Sequence, residues 1–160
     1  YIESHLDLGG GNSPLTKILQ DNGIDATLCE LNPYSIDLQE NYGVKKWIKE
    51  GFTQAEFTFK RKYDFITSIE VFEHIEDKKL LPFIATLAEH CEYFLFSSTP
   101  HKDTPEFDEQ WGHVNIKPTF EWIKLFEANN FEWLSQETAY LQRNCIPTTW
   151  TLMFKSKAHA

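Results

Sequence analysis

The chain has 160 residues, a mass of 18.8 kDa and a net charge of −9, with 41% hydrophobic and 24% charged side chains. That length and balance suit one domain spanning residues 1–160, and they exclude a disordered, fibrous or two-domain chain. Leu80 to Ala88, the longest nearly apolar run, is far shorter than the roughly 20 residues a membrane span needs, and an acidic chain with only two arginines, Arg61 and Arg143, disfavours nucleic acid as a partner.

Cys29, Cys91 and Cys145 are odd in number, widely spaced and without C-x-x-C spacing. Neither a disulfide framework nor a cysteine zinc site is indicated, and a reducing cytoplasm is the expected location. No basic segment with an apolar stretch opens the sequence, so a signal peptide is not expected in it. A strand begins almost at Tyr1, so a missing upstream segment is expected.

Strand-like and helix-like patterns alternate from end to end, which argues for an α/β sheet. The first apolar run, His5 to Leu8, stops at Gly9-Gly10-Gly11-Asn12, and Ser13-Pro14 then opens a helix carrying Leu15, Ile18 and Leu19. A second strand, Asp25 to Glu30, is followed by Asn32-Pro33 and another helix with Ile36 and Tyr42. A short strand at Val44 to Ile48 and a loop at Lys49 to Lys62 precede a fourth strand, Asp64 to Ile69. Leu80, Phe83, Ile84, Leu87, Ala88 and Cys91 repeat at helical spacing. Tyr93 to Ser98 reads as a fifth strand, Lys102 to Asn115 as a loop, and Pro118 opens a helix with Phe120, Ile123 and Phe126. Two further strands, Phe131 to Tyr140 and Pro147 to Phe154, follow without a helix between them. The expected fold is a Rossmann-like, seven-stranded, mostly parallel sheet with helices on both faces and a final antiparallel pair. Its ligand site belongs at the carboxyl ends of the strands.

The turn Asp7-Leu8-Gly9-Gly10-Gly11-Asn12 brings backbone close to a ligand without a Cβ in the way. A dinucleotide fingerprint would place a glycine where Pro14 stands, which weakens a nicotinamide dinucleotide as ligand. Glu30 lies 21 residues beyond Gly9, where an acid at the end of strand two can accept bonds from both ribose hydroxyls. Glu70, Glu73 and His74 share one face if a helix starts near Val71. Such a group reads either as a hydrogen-bonded helix entrance or as a ligand set.

These stretches resemble the class I S-adenosylmethionine-dependent methyltransferases over essentially the whole chain. His5 to Gly11 is similar to their first motif, Glu30 to the acid ending their second strand, and Tyr63 to Ile75 to their fourth-strand motif. The resemblance implies that Gly9, Gly10, Gly11 and Asn12 line the methionine end of the donor, with Leu8 below them and Asp7 holding the amino group directly or through water. It implies that Glu30 binds ribose, Leu31 packs on adenine, Phe52 stacks on the same ring, and Ser68 and Ile69 pass beside the sulfonium. Gly51-Phe52-Thr53 carries no acid for the adenine amine, unlike many relatives.

The stretch Glu70 to His74, followed by Thr99-Pro100, Glu106-Phe107, His113 and Phe120-Glu121-Trp122, is similar to metal-dependent small-RNA 2′-O-methyltransferases. Quinone-biosynthesis O-methyltransferases carry a similar E-x-x-E-H, so the motif does not choose the acceptor. Glu70, Glu73, His74 and His113 are the implied ligands of magnesium or manganese, with a structural hydrogen-bond network as the alternative. Trp111 is a candidate substrate wall, and His101 could face the site. The expected activity is methyl transfer to an oxygen of a small metabolite, with His74, His113 and Glu73 as the proton-handling groups. The alternatives are RNA 2′-O-methylation and a catalytically silent S-adenosylmethionine-binding domain. Oligomeric state has no signal here.

Overall fold

The computed structural model describes residues 1–54, 57–145 and 148–158. Among them, β1 (Ser4–Leu8), β2 (Asp25–Cys29), β3 (Trp47–Ile48), β4 (Tyr63–Ile69), β5 (Cys91–Ser97), β6 (Phe131–Trp133) and β7 (Thr151–Ser156) form one sheet, ordered β3-β2-β1-β4-β5-β7-β6. Strands β1 to β5 run parallel, and β7 is antiparallel to both of its neighbours. The connecting helices are α1 (Leu15–Asp21), α2 (Pro33–Tyr42), α3 (Asp77–Leu87), α4 (Pro105–Trp111), α5 (Thr119–Ala128) and α6 (Ser135–Asn144), with one 3₁₀ turn at Phe72–His74.

Alternation along the strands sorts side chains onto two faces. Leu6 and Leu8 of β1, Ile66 of β4, and Phe94 and Phe96 of β5 pack with Leu80 and Ile84 of α3 and with Trp122 and Phe126 of α5. His5, Asp7 and Thr67 alternate to the opposite face, where Thr16 of α1 bonds to Asp7. Helices therefore cover both faces, as the sequence pattern predicts. Among the described residues, no helix is long and apolar enough to cross a membrane.

Four expectations are corrected. The strand expected over 44–48 covers only Trp47–Ile48, and Cys91, read as the end of the helical repeat, begins β5. Residues 102–115 are not all loop, because Thr104 caps α4 by accepting from Phe107 N–H, Pro105 stands at its first position, and Gly112 ends it at φ +71°. That is a complete set of helix signals on a helix with no buried residue, so hydrophobic periodicity could not reveal it. The strand expected over 131–140 is three residues long, and α6 separates it from β7. Alternation ends at Trp133, whose indole N–H donates to Thr138 Oγ1 at 3.1 Å, and buried Thr138 then sits on the inward face of α6. Pro147, read as the start of the last strand, and His159, read as a tail residue, lie outside the described residues.

The Phe126 ring lies 4.8 to 5.3 Å, centroid to centroid, from Phe94, Phe96 and Phe154. Phe126→Ala should cost about 3–5 kcal/mol of stability. Phe120→Ala, on the exposed side of the same helix, should stay within about 0.5 kcal/mol. Urea unfolding of the two variants checks the pair.

Candidate active site

The turn after β1 closes tightly. A Cβ on Gly9 would lie 2.8 Å from Val71 Cγ2, and one on Gly10 would lie 2.3 Å from Leu28 Cδ1 and 2.6 Å from Asp7 Oδ2. Only glycine lets the turn sit against Val71 and over the Asp7 carboxylate. Gly11 N–H donates to Glu30 Oε2, and the N–H groups of Leu31 and Asn32 donate to Glu30 Oε1, each at 2.7 Å. Three backbone donors thus orient the buried Glu30 carboxylate, and its remaining lone pairs can accept from a ligand.

Below the turn, Thr67 Oγ1 donates to Asp7 Oδ1 at 2.6 Å and Thr16 Oγ1 to Asp7 Oδ2 at 3.2 Å. Burial pushes the Asp7 carboxyl up to about 6, and the nearby Glu30 charge adds to the rise against the opposing hydroxyl bonds. Thr67 has one proton and gives it to Asp7, so His5 Nε2, 3.1 Å from the same oxygen, is the donor there. Burial lowers His5 to about 4, which keeps its imidazole neutral.

A cleft of about 240 Å³ runs past this turn, with Gly9, Glu30, Leu31, Glu50, Phe52 and His74 on its walls. Leu31 is 56% exposed there, an apolar side chain without cover. Phe52 contributes to the wall, although its ring packs inward on Phe72 and Phe83.

On the His74 side, β4 ends at Ile69 and the chain turns through Glu70 at φ +55°. Glu70 accepts from the Ser97 hydroxyl and from Trp150 Nε1–H. Phe72 is then wholly buried, which places Glu73 and His74 at the strand's carboxyl end. The loop after α4 delivers His113, because Val114 and Asn115 N–H donate to the Glu73 carbonyl at 2.8 and 2.9 Å. Ligand atoms of Glu73, His74 and His113 all lie within 4.8 Å of one another. His113 Nδ1 is 3.2 Å from Asp108 Oδ1 and His74 Nδ1 is 3.3 Å from the Gly112 carbonyl. Those contacts orient the rings and leave Nε2 of each as the working atom.

Burial raises the Glu73 carboxyl to about 7, reinforced by the Glu70 charge. Burial also lowers His74, with His113 acting in the same direction. Glu73 Oε2 is buried without a hydrogen-bond partner. An orphaned carboxylate oxygen beside two oriented imidazoles is a donor set that fits a divalent cation, and equally one that can hold or accept a proton.

The family described as a methyltransferase domain matches residues 3–140. The chain belongs to that family. A solved S-adenosylmethionine-dependent methyltransferase from Clostridium acetobutylicum is 20% identical over 61% of this chain and 43% of its own, with a TM-score of 0.53. The O-methyltransferase of a trans-AT polyketide multienzyme of Brevibacillus brevis, solved with S-adenosylhomocysteine, is 18% identical over 99% of this chain and 68% of its own, at 0.66. A TehB-like S-adenosylmethionine-dependent methyltransferase from Corynebacterium glutamicum is 14% identical over 97% and 80%, at 0.69. At these identities the likeness is one of fold. The methyltransferase domain described here spans less than half the length of the clostridial protein. No curated protein matches it in sequence.

Within this methyltransferase domain Gly9, Glu30, Leu31 and Phe52 line one cleft, and Gly11 is bonded to Glu30 beside it. Ser68 is buried and Ile69 is 39% exposed at the end of β4. Of the four expected metal ligands, Glu73, His74 and His113 converge. Glu70 is near enough to act on Glu73 and His74, but its Oε1 is taken by Ser97 and Trp150 and it is not one of the three converging groups. His101 packs edge-on against Trp150 at 5.3 Å, and Trp111 is 58% exposed on α4. The sequence reading passed over Glu50, the acid immediately before Gly51, which lies on the cleft wall. It also passed over Thr16, Thr67 and Asp108, which act on other side chains and carry no motif of their own.

Between pH 4.5 and about 7, folded Glu73 holds a proton that the unfolded chain releases. Its contribution to stability therefore falls as pH rises through that window. Relative to Glu73→Gln, the parent should lose at least about 1 kcal/mol between pH 4.5 and 7.5, measured by urea unfolding at both values. A pH-independent difference between the two proteins would place the Glu73 carboxyl in water.

Proposed function

We propose that this domain transfers the methyl group of S-adenosylmethionine to an oxygen of a small metabolite. The observation that carries the reading is continuity. One cleft joins the glycine turn and Glu30 to His74, which belongs to the cluster with Glu73 and His113. A donor site and a proton-accepting site are therefore adjacent.

S-adenosylmethionine supplies a methyl group on a positively charged sulfur, open to in-line displacement. Alignment and desolvation of the attacking oxygen then account for most of the rate. In this reading Glu30 accepts from the ribose hydroxyls, Leu31 covers adenine, and Glu50 faces its amine. The turn 9–12 holds the methionine end over Asp7, with Leu8 beneath it and Ser68 and Ile69 beside the sulfonium. His74, lowered by burial, is neutral at pH 7 and can take the acceptor's hydroxyl proton. His113, oriented by Asp108, and Glu73, near 7, extend the path for that proton. Magnesium or manganese would be held by Glu73, His74 and His113, where it would lower the pKa of an acceptor hydroxyl. The Brevibacillus neighbour is an O-methyltransferase, which supports oxygen as the acceptor atom. The charge of −9 supports a small molecule over RNA. A silent scaffold has no use for a buried Glu73 with one carboxylate oxygen left without a partner. Three free cysteines go with a cytoplasmic setting.

Calorimetry with S-adenosylhomocysteine tests the donor site. Glu30→Ala removes charge-assisted bonds worth roughly 1.5 to 3 kcal/mol each, so affinity should fall at least tenfold. Unchanged affinity would overturn the ribose assignment, and tight binding of a nicotinamide dinucleotide by the parent would overturn the reading as a whole.

Manganese titration of the protein with S-adenosylhomocysteine bound, followed by electron paramagnetic resonance, tests the cation. One bound ion in the parent and none in Glu73→Gln or His113→Ala is the expected result. No bound manganese in the parent would leave proton transfer to His74 as the mechanism.

A further inference from the structure

Helix α2 carries a side chain that is wholly buried and strongly engaged, yet lies outside every motif discussed above. Gln39 is 0% exposed. Its Nε2 donates to the Gly11 carbonyl at 2.8 Å and to the Ser13 carbonyl at 2.6 Å, so both amide protons go to the glycine turn. The opposite orientation of this amide would put Oε1 against two carbonyl oxygens, which is repulsive. Gln39 Oε1 is left buried without a partner. One turn earlier on α2, Ser35 Oγ donates to Asn12 Oδ1 at 3.0 Å. Residues 11 to 13 are thus held from behind by one helix face.

The consequence follows from peptide geometry. Every peptide bond among the described residues is trans, so the Gly11 carbonyl and the Asn12 N–H point in opposite directions. With the carbonyl turned to Gln39, the Asn12 N–H is turned away from α2. Among the described residues it has no hydrogen-bond partner. Gly11 N–H, on the other side of the same residue, is fixed by Glu30. Glu30 thus holds the peptide before Gly11 and Gln39 the peptide after it, and the Asn12 N–H is the donor left over.

We propose that Gln39 is a positioning residue for the methyl donor: it orients the 11–12 peptide so that Asn12 N–H meets the carboxylate of the donor's amino-acid end. The inference rests on reading the cleft as an S-adenosylmethionine site, and it adds which end of the ligand α2 controls. At the nucleoside end, Glu30 shares Gly11 with Gln39, but its Oε1 is anchored independently by Leu31 and Asn32 N–H. Loss of Gln39 should therefore act on the amino-acid end alone.

The test compares two ligands by calorimetry. S-adenosylhomocysteine has the amino-acid end, whereas 5′-methylthioadenosine keeps adenine, ribose and sulfur and lacks it. Gln39→Leu should weaken S-adenosylhomocysteine about tenfold and methylthioadenosine less than twofold. Equal losses for both ligands, or no loss for either, would overturn the proposal. Should Gln39→Leu not fold by circular dichroism, Ser35→Ala carries the same comparison, with about a threefold loss confined to S-adenosylhomocysteine. Equal effects of Ser35→Ala on the two ligands would then count against the proposal. A parent protein that binds neither ligand would overturn the methyl-donor reading itself and the inference with it.

Discussion

The burial of Phe72 is the constraint on which the catalytic end of the molecule depends. Its ring sits between Phe52, Phe96 and Trp122, at 5.2 to 6.0 Å, and is wholly inaccessible. The chain reaches that position only by leaving β4 through a left-handed Glu70, a conformation that costs on the order of 1–3 kcal/mol outside glycine. Burying a phenylalanine contributes roughly 1.5–3 kcal/mol, and bonds from Ser97 and Trp150 to Glu70 add to it. The two sides balance, and Glu73 and His74 follow Phe72 into place. The aromatic core thereby sets the direction of the ionisable groups above it.

The opposite face of the sheet is organised by polar contacts. His5, Thr67, Asp7 and Thr16 form a buried chain of hydrogen bonds directly under the glycine turn. Such a chain is costly when any member lacks its partner. The turn above is held by Glu30 on one side and Gln39 on the other. The cleft therefore has a rigid polar floor on this side and an aromatic-backed wall at Val71 to Ile75.

Much of this was legible in the amino-acid order because the relevant signals are local. Alternation in His5 to Leu8, the cap and proline at Asn32-Pro33, and the helical repeat from Leu80 each describe their own neighbourhood, and the structure reproduces them, although the repeat stops at Leu87 and Cys91 belongs to β5. Helix α4 was hidden because it buries nothing. Helix α6 was hidden because Phe131 and Trp133 open a pattern that looks like a longer strand. Within the site, Glu73, His74 and His113 were readable as types at a spacing, but the engagement of Glu70 by Ser97 and Trp150 depends on a backbone angle no pattern encodes. Gln39 was illegible for another reason. A glutamine on an amphipathic helix reads as solvent-facing, and only the closure of the turn against α2 turns it inward.

The position of β7 has a consequence for how the chain is made. It lies between β5 and β6 and pairs with both, yet residues 98–150 separate it from β5. During synthesis the far edge of β5, including Tyr93, Phe94, Leu95 and Phe96, therefore has no strand partner until residues 151–156 leave the ribosome. An apolar edge open for that interval is a template for pairing with other nascent chains. Release from that hazard comes late, when a strand running against the others slots into the gap.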